Sequence, residues 1–587
     1  MMEEKDMAAL RAERQRTINR LGAEDDFGRG FGYISGFRKD RYVGMFYFLW
    51  HGQHKSEMPG VYNVSELEKN DLPALLDTGK NPKSPVGAFH HWGKPLFGYY
   101  NSEDPWVLRK HMELLCIAGI DFICFDCTNA REYWEVLEVL LPVMQEMYDA
   151  GWNVPKFMFY LNTCCDEAIA RLYYGSGKGC ALEKEGIYKK GLFKDLWFMP
   201  GGKPKIAAVT EEGNTSSGTD AHRVRDKEIL SFFDFWESQW PNNTFYENGF
   251  PWIEWSRPQP VHTQAEAISV SIAQHNLCPF SDVLLEPGIR EKMWGRGYTS
   301  RSGADHSERA IISGANFEEE WQTALEKDVK YTFVTGWNEW AAIKFVDPYR
   351  NCIFLVDNFN LEFSRDIEMM EDGYEDNPYL QLMRNVRKLK GLQDELLPSP
   401  MRKIDFNDVS CWKQVEDRYI GFIGQTPRDF AGFAPGYHYK DDSRRLEICE
   451  IRAAHDEKFI YFNIVADRPL APADGDEAFM NVLVGIDGSE NKGFRGFEYL
   501  IGRGRTDSAC SVEFFGKEGP TKCGQASFKI ERETIVYRIP KTVLKIKGSF
   551  TLRFKVADNV KEPMNMQSYY ASGCVAPIGR LGFIFRG

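Results

Sequence analysis

The sequence predicts an α/β protein, a (β/α)8 barrel of the TIM type followed by a C-terminal all-β sandwich. Three observations carry that expectation. Between residues 40 and 340 a unit repeats: an amphipathic helix stops at a glycine, a buried apolar strand follows, and the strand runs out into polar residues. Gly391 to Pro400, with its Leu-Pro-Ser-Pro, has the composition of a linker. Beyond it the pattern changes to short β-rich runs separated by Gly, Asp and Ser turns. The expected boundaries are an N-terminal arm over 1–40, a barrel over 41–390, a linker over 391–403 and a sandwich over 404–587.

Composition narrows the function classes. A chain of 587 residues exceeds one ordinary core, so two large units are expected. No run of 18 apolar residues occurs, and no membrane span is expected. A net charge of −13 argues against nucleic acid as a main partner, because phosphate binding needs a basic face. The aromatics, 15 Trp among them, fit carbohydrate binding and fit a large core equally well. The 13 cysteines are scattered. Cys124 and Cys127 form a C-x-x-C that starts inside an apolar strand and has no second half, so free buried thiols are expected rather than a metal or redox site. No cofactor is expected. Met1 to Asp6 carries acids where a signal peptide carries bases, which reads as cytoplasmic, or as secreted or periplasmic if a signal has been removed. No pattern addresses oligomeric state.

The elements follow in order. Residues 3 to 22 form a surface helix or a loose arm. Tyr42 to Trp50 is the first strong strand, ending at His51-Gly52-Gln53-His54. With no third ligand at metal spacing, Trp50, His51 and His54 are read as pocket residues. Residues 86 to 92 are a strand or a loop and contribute His91 and Trp92. Asp104 caps a helix that begins at Pro105, with Leu108, Met112 and Leu115 as its apolar stripe and Gly119 as its stop. Ile120 to Phe125 is a strand ending at Asp126-Cys127-Thr128-Asn129. A helix over about 131–150 precedes Lys156 to Leu161, a strand ending at Asn162. The rhythm then loosens. Lys205 to Val209 ends in Glu211-Glu212, Pro251 to Trp255 ends in a Glu beside a Trp, and Ile268 to Ala273 leads to Gln274-His275. The glycine-rich residues 287–315 look like a long loop over the site. Asn316 is expected to cap the next helix, with Glu319 in a capping box and Phe317, Trp321 and Leu325 buried. Seven strands are legible before residue 340, and no Gly-rich phosphate loop supports an open doubly wound sheet. In the C-terminal part, Asp487, Ser489, Asn491 and Glu498 have calcium-loop spacing, but Lys492 stands where that loop needs Gly, so a hairpin turn is expected.

The most informative stretch is Lys330 to Ala342. A β-branched apolar run is broken by Gly336, and Asn338 and Glu339 follow between Trp337 and Trp340. At the carboxyl end of a barrel strand, a carboxylate walled by indoles suits a sugar site. Cleaving a glycosidic bond also needs a second carboxyl, and the other strand tips offer Asp126, Glu254 and the pair Glu211/Glu212. A salt bridge at the barrel rim accounts for each of them equally simply.

The Trp337-Asn338-Glu339-Trp340 stretch resembles the Asn-Glu-Trp motif of the endo-α-mannosidase family of glycoside hydrolases (family 99) and its bacterial relatives, some of them sugar-processing proteins of polysaccharide loci. Gly98-Tyr99-Tyr100 before Asp104-Pro105, and Gly119-Ile120-Asp121, are similar to that family as well. The resemblance spans roughly residues 40–390. It implies a (β/α)8 barrel acting on a glycosidic bond, with a glycan substrate and Glu339 as one catalytic acid. The family motif continues to a second Glu, and here that position is Ala342. Endo-α-mannosidase specificity therefore does not carry over, and the second carboxyl must come from elsewhere. The C-terminal part resembles the carbohydrate-binding sandwiches attached to many such enzymes. The expected function is glycoside hydrolysis. A non-catalytic carbohydrate-binding or polysaccharide-assembly protein on the same barrel is the alternative, with a lyase a third possibility.

Overall fold

The computed structural model describes residues 4–214, 222–406, 408–489 and 492–587. The chain divides into two compact units, one of residues 38–390 and 430–439, the other of residues 1–37, 391–429 and 440–587.

The first unit is the barrel. Its eight strands are β1 (Tyr42–Tyr47), β2 (Phe122–Cys127), β3 (Lys156–Leu161), β4 (Lys205–Ala208), β5 (Asp234–Gln239), β6 (Gly249–Pro251), β7 (Ala267–Ser271) and β8 (Tyr331–Thr335). They pair in the order β6-β5-β4-β3-β2-β1-β8-β7, every pair parallel. That is sequential order around a barrel, hydrogen-bonded throughout except between β6 and β7. Strands covered on both faces need apolar side chains on both faces, and β2 is buried along its whole length.

Local sequence explains most of the elements. Asp104 accepts from the backbone N–H of Trp106 at 3.0 Å, Pro105 opens the helix Pro105–Ala118, and Gly119 ends it at a φ of 78°. The strand illegible in the sequence is β5. Its Glu237 looks like a surface residue, yet it is fully buried and accepts from the Thr210 N–H and hydroxyl at 3.0 and 2.7 Å. A buried carboxylate tied down by loop donors hides a strand from any hydropathy pattern. Three boundaries also moved; the strand expected over Pro251 to Trp255 is Gly249–Pro251, so Glu254 lies past its end. The helix expected to be capped by Asn316 runs Ala315–Lys327, and Asn316 instead donates to the Ser271 carbonyl at 3.0 Å. Phe89–His91 is a short strand paired antiparallel with Ala341–Ile343, outside the barrel sheet.

The second unit is antiparallel and almost entirely β. One continuous path runs through the strands at 418–420, 448–455, 459–466, 534–540, 519–531, 509–516, 499–501, 481–486, 551–558 and 582–586, and ends on 21–24 and 30–31. Residues 21–24 thus belong to this sheet, where Leu21 sits opposite Phe583. Of the calcium-loop positions, Asn491 lies outside the described residues, and Glu498 accepts from the Ile486 N–H at 2.6 Å, as a hairpin turn requires. Among the described residues every cysteine is a free thiol, no group of three or more His, Cys, Asp or Glu is placed to hold a metal ion, and no helix is long and apolar enough to cross a membrane.

Candidate active site

The barrel gathers its polar side chains at the carboxyl ends of the strands, and β8 organises them. Gly336 follows β8 because a side chain there would meet the Asp366 carboxylate and the Phe48 ring, 2.8 and 3.1 Å from its Cβ position. The chain then runs beside residues 365–368. Gly336 N–H donates to the Arg365 carbonyl at 3.0 Å, and Glu368 N–H donates to the Trp337 carbonyl at 2.9 Å. Asn338 bonds both the N–H and the carbonyl of Phe48, at 2.9 and 3.1 Å, which locks the tip of β8 to the tip of β1. The Glu339 carbonyl accepts from Trp92 Nε1 at 3.0 Å and from Asn358 Nδ2 at 3.2 Å. With its backbone held on both sides, Glu339 turns its side chain to Arg365, whose Nη2 lies 2.5 Å from Oε2. The same nitrogen lies 3.1 Å from Asp357 Oδ1.

This places an arginine at the centre of a group of acids. Burial holds the Glu339 carboxyl well above its usual range; Arg365 opposes that, and Asp357, Asp366 and Asp126 reinforce it. Burial pushes Asp366 up to about 6 against the pull of the Glu339 backbone N–H, Arg365 and Arg296. Asp126 is raised by burial and opposed by Thr128, whose N–H and hydroxyl it accepts at 3.0 and 2.7 Å. Four carboxyls around one fully buried guanidinium favour retention of a proton within the group.

The indole wall differs from the expected one. Trp337 and Trp340 are both fully buried. Trp337 packs between His111 and Tyr379, while Trp340 stacks on Trp92 at 4.3 Å and donates to Glu368 at 2.6 Å. Neither ring offers a face to a ligand, since the apolar residues around a barrel tip seal the core beneath the loop. The indole packed against the acids comes instead from the loop after β6; it is Trp252, itself buried, with the partly exposed Trp255 nearby. The Arg365 guanidinium sits over the Trp252 ring at 4.5 Å, Trp240 packs on Trp252 at 5.1 Å, and His275 meets Trp255 at 5.4 Å.

The remaining expected residues divide into three groups. Glu254 Oε1 lies 3.0 Å from His262 Nε2, and His262 Nδ1 donates to the Tyr246 carbonyl. Gln274 is committed to Arg257 and Asn316 at 3.1 and 3.0 Å, and Asn162 accepts from Ser238 at 3.0 Å. Asn129 is exposed on the loop after β2, as are Glu211 and Glu212 after β4. The histidines form the third group, with His275 on the Arg365 side and apart from the others. His51 is lowered to about 3 by burial and His275 to about 4 by burial and Arg365, so both rings are neutral. His51 Nε2 accepts from the Trp340 N–H at 3.4 Å, and its ring stacks on Trp50 at 4.6 Å. His54, half-buried, bonds the Tyr133 hydroxyl at 3.0 Å. His91 packs on Phe433 at 4.3 Å, in the 430–439 segment of the barrel unit.

Arg365, Asp357, Asp366 and Trp252 escaped the sequence reading. Only Trp252 carried a signal, as the second indole beside Glu254. The other three lie on an irregular loop without periodicity. A surface groove at the opposite rim, lined by Asp40, Arg41, Glu266 and Asp328, holds none of these groups.

No family model matches the sequence, and no curated protein matches it. Among solved structures, the family 99 endo-α-mannosidase of Bacteroides thetaiotaomicron superposes with a TM-score of 0.31 at 14% identity, covering 59% of this chain and 97% of that one. A likeness of that size transfers no residue roles.

Proposed function

We propose that the chain is a glycoside hydrolase that cleaves a glycosidic bond in an oligo- or polysaccharide. The observation that carries this reading is the set of carboxyls around Arg365, with Glu339 at the tip of β8. Hydrolysis of an acetal needs one group to protonate the leaving oxygen and another to act at the anomeric carbon. A buried carboxyl that keeps its proton beside other carboxylates supplies that combination, and the partly exposed Trp255 ring offers an apolar face for a pyranose. Asp126, the expected partner of Glu339, lies in the same electrostatic group; Glu254 is bound to His262.

The test is release of new reducing ends from a panel of oligosaccharides and polysaccharides, with Glu339→Gln as the control. Turnover lost in that variant supports the reading. Saturable sugar binding without turnover would favour the carbohydrate-binding or polysaccharide-assembly alternative, to which Ala342 already points.

A further inference from the structure

We propose that Asp357 is the second catalytic carboxyl, the nucleophile that works with Glu339 across Arg365; the proposal rests on the glycosidase reading. Glu339 Oε2 and Asp357 Oδ1 lie 2.5 and 3.1 Å from one nitrogen, so the two oxygens are at most about 5.6 Å apart, a bound that admits the ~5–5.5 Å of retaining glycosidases and excludes the wider ~6.5–9.5 Å of inverting ones for these two atoms. The spacing is fixed by the backbone as well, because Asn358, the next residue, donates to the Glu339 carbonyl.

Accessibility separates the three candidates. The Asp357 side chain is 37% exposed, whereas Asp126 is buried and spends its Oδ1 on two Thr128 donors. Glu254 is buried against His262. Asp357 is also the carboxylate that recurs around the site: it acts on Glu339, Asp126, Arg365 and His275. A second, independent observation marks the place as a ligand site. Trp252 Nε1, Trp255 Nε1, His275 Nδ1 and Arg365 Nε and Nη1 are buried with no hydrogen-bond partner among the described residues. Buried polar atoms left unpaired cost about 1–3 kcal/mol each, so a cluster of them calls for partners that bound water or a ligand supplies. Sugar hydroxyls have the acceptors for it.

The roles follow from the geometry. Glu339 accepts from Arg365 through Oε2, which leaves Oε1 to carry a proton. As the glycosidic C–O bond breaks, its electron pair goes to the leaving oxygen, which takes that proton. Asp357 forms a bond to the anomeric carbon, giving a glycosyl ester. Water then attacks the same carbon and gives its proton to Glu339, and the ester C–O pair returns to Asp357. The net change is addition of one water. Removing Ala342's acidic counterpart is thus balanced by an acid from a different loop.

The experiment uses the full chain and a substrate that the wild type cleaves. Asp357→Asn is expected to lose at least 10³-fold in kcat, and Asp357→Gly to regain activity with added azide, yielding a glycosyl azide of inverted anomeric configuration. Rescue by azide also shows that the variant is folded. If Glu339→Gln is inactive while Asp357→Asn stays within tenfold of wild type, or if Asp357→Gly is inactive and azide restores nothing, Asp357 is not the nucleophile. In that case the glycosidase reading stands. A wild type that cleaves no glycoside overturns the reading itself.

Discussion

The tips of β8 and β6 look alike in sequence and end up with opposite roles. Each is an apolar run that stops at a glutamate beside tryptophans, Glu339 with Trp337 and Trp340, Glu254 with Trp252 and Trp255. At β8 the tryptophans go inward and the glutamate stays at the mouth, paired with Arg365. At β6 the glutamate is bound to His262, and Trp252 forms the face under Arg365. What differs is the neighbour each tip meets. Residues 365–368 pair with the chain just past β8 and bring a guanidinium, whereas Glu254 meets the imidazole of His262. The partner that another stretch of chain brings, and not the neighbouring indoles, sets the environment of each carboxyl.

The comparison breaks most visibly in turnover. Glu339→Gln is expected to reduce kcat by about 10²–10⁴-fold, the usual worth of a positioned acid–base group, with little change in melting temperature. Glu254→Ala should cost less than tenfold in kcat and should lower the melting temperature instead, because the His262 bond is lost. Equal kinetic losses in the two variants would erase the distinction drawn between the tips.

Arg365→Met tests what the extra segment contributes. Removing the guanidinium leaves Glu339, Asp357 and Asp366 without their central cation, and breaking a buried ion pair costs about 3–5 kcal/mol. Thermal unfolding measures it, and a loss below about 1 kcal/mol would reduce Arg365 to a surface-like contact.

Asp366 sharpens the comparison through pH. Its folded pKa is raised from 3.8 to about 6, so between those values the folded state binds the extra proton. Stability from this group is present at low pH and declines as pH rises from about 4 to about 6, by up to about 3 kcal/mol. Asp366→Asn should flatten that part of the stability–pH curve. An unchanged slope would mean that the carboxyl is ionised throughout.

The last pair of variants separates wall from core, and its kinetic effect is the smallest of the set. Trp255→Ala is expected to raise KM several-fold, since the partly exposed indole beside His275 is lost. Trp340→Ala should act on stability, by about 3–5 kcal/mol for a fully buried indole. Calorimetry beside steady-state kinetics distinguishes them, and a reversal would return Trp340 to the ligand wall.

The sequence by itself determined the barrel's rhythm. Asp104-Pro105, Gly119 and the apolar runs of β1, β2, β3 and β8 act through local rules of capping, backbone freedom and burial, so each can be recognised without its neighbours. It also placed Glu339 at a strand tip. Tertiary structure alone decided β5, whose buried Glu237 is satisfied by a loop 26 residues away along the chain. It decided, too, which way each indole turns, and it recruited Arg365 and Asp357 from a loop with no periodicity. The physical reason is range. A cap or an amphipathic stripe is settled within a few residues, whereas the charge and hydrogen bonds that make a carboxyl reactive come from segments that meet only when the barrel closes.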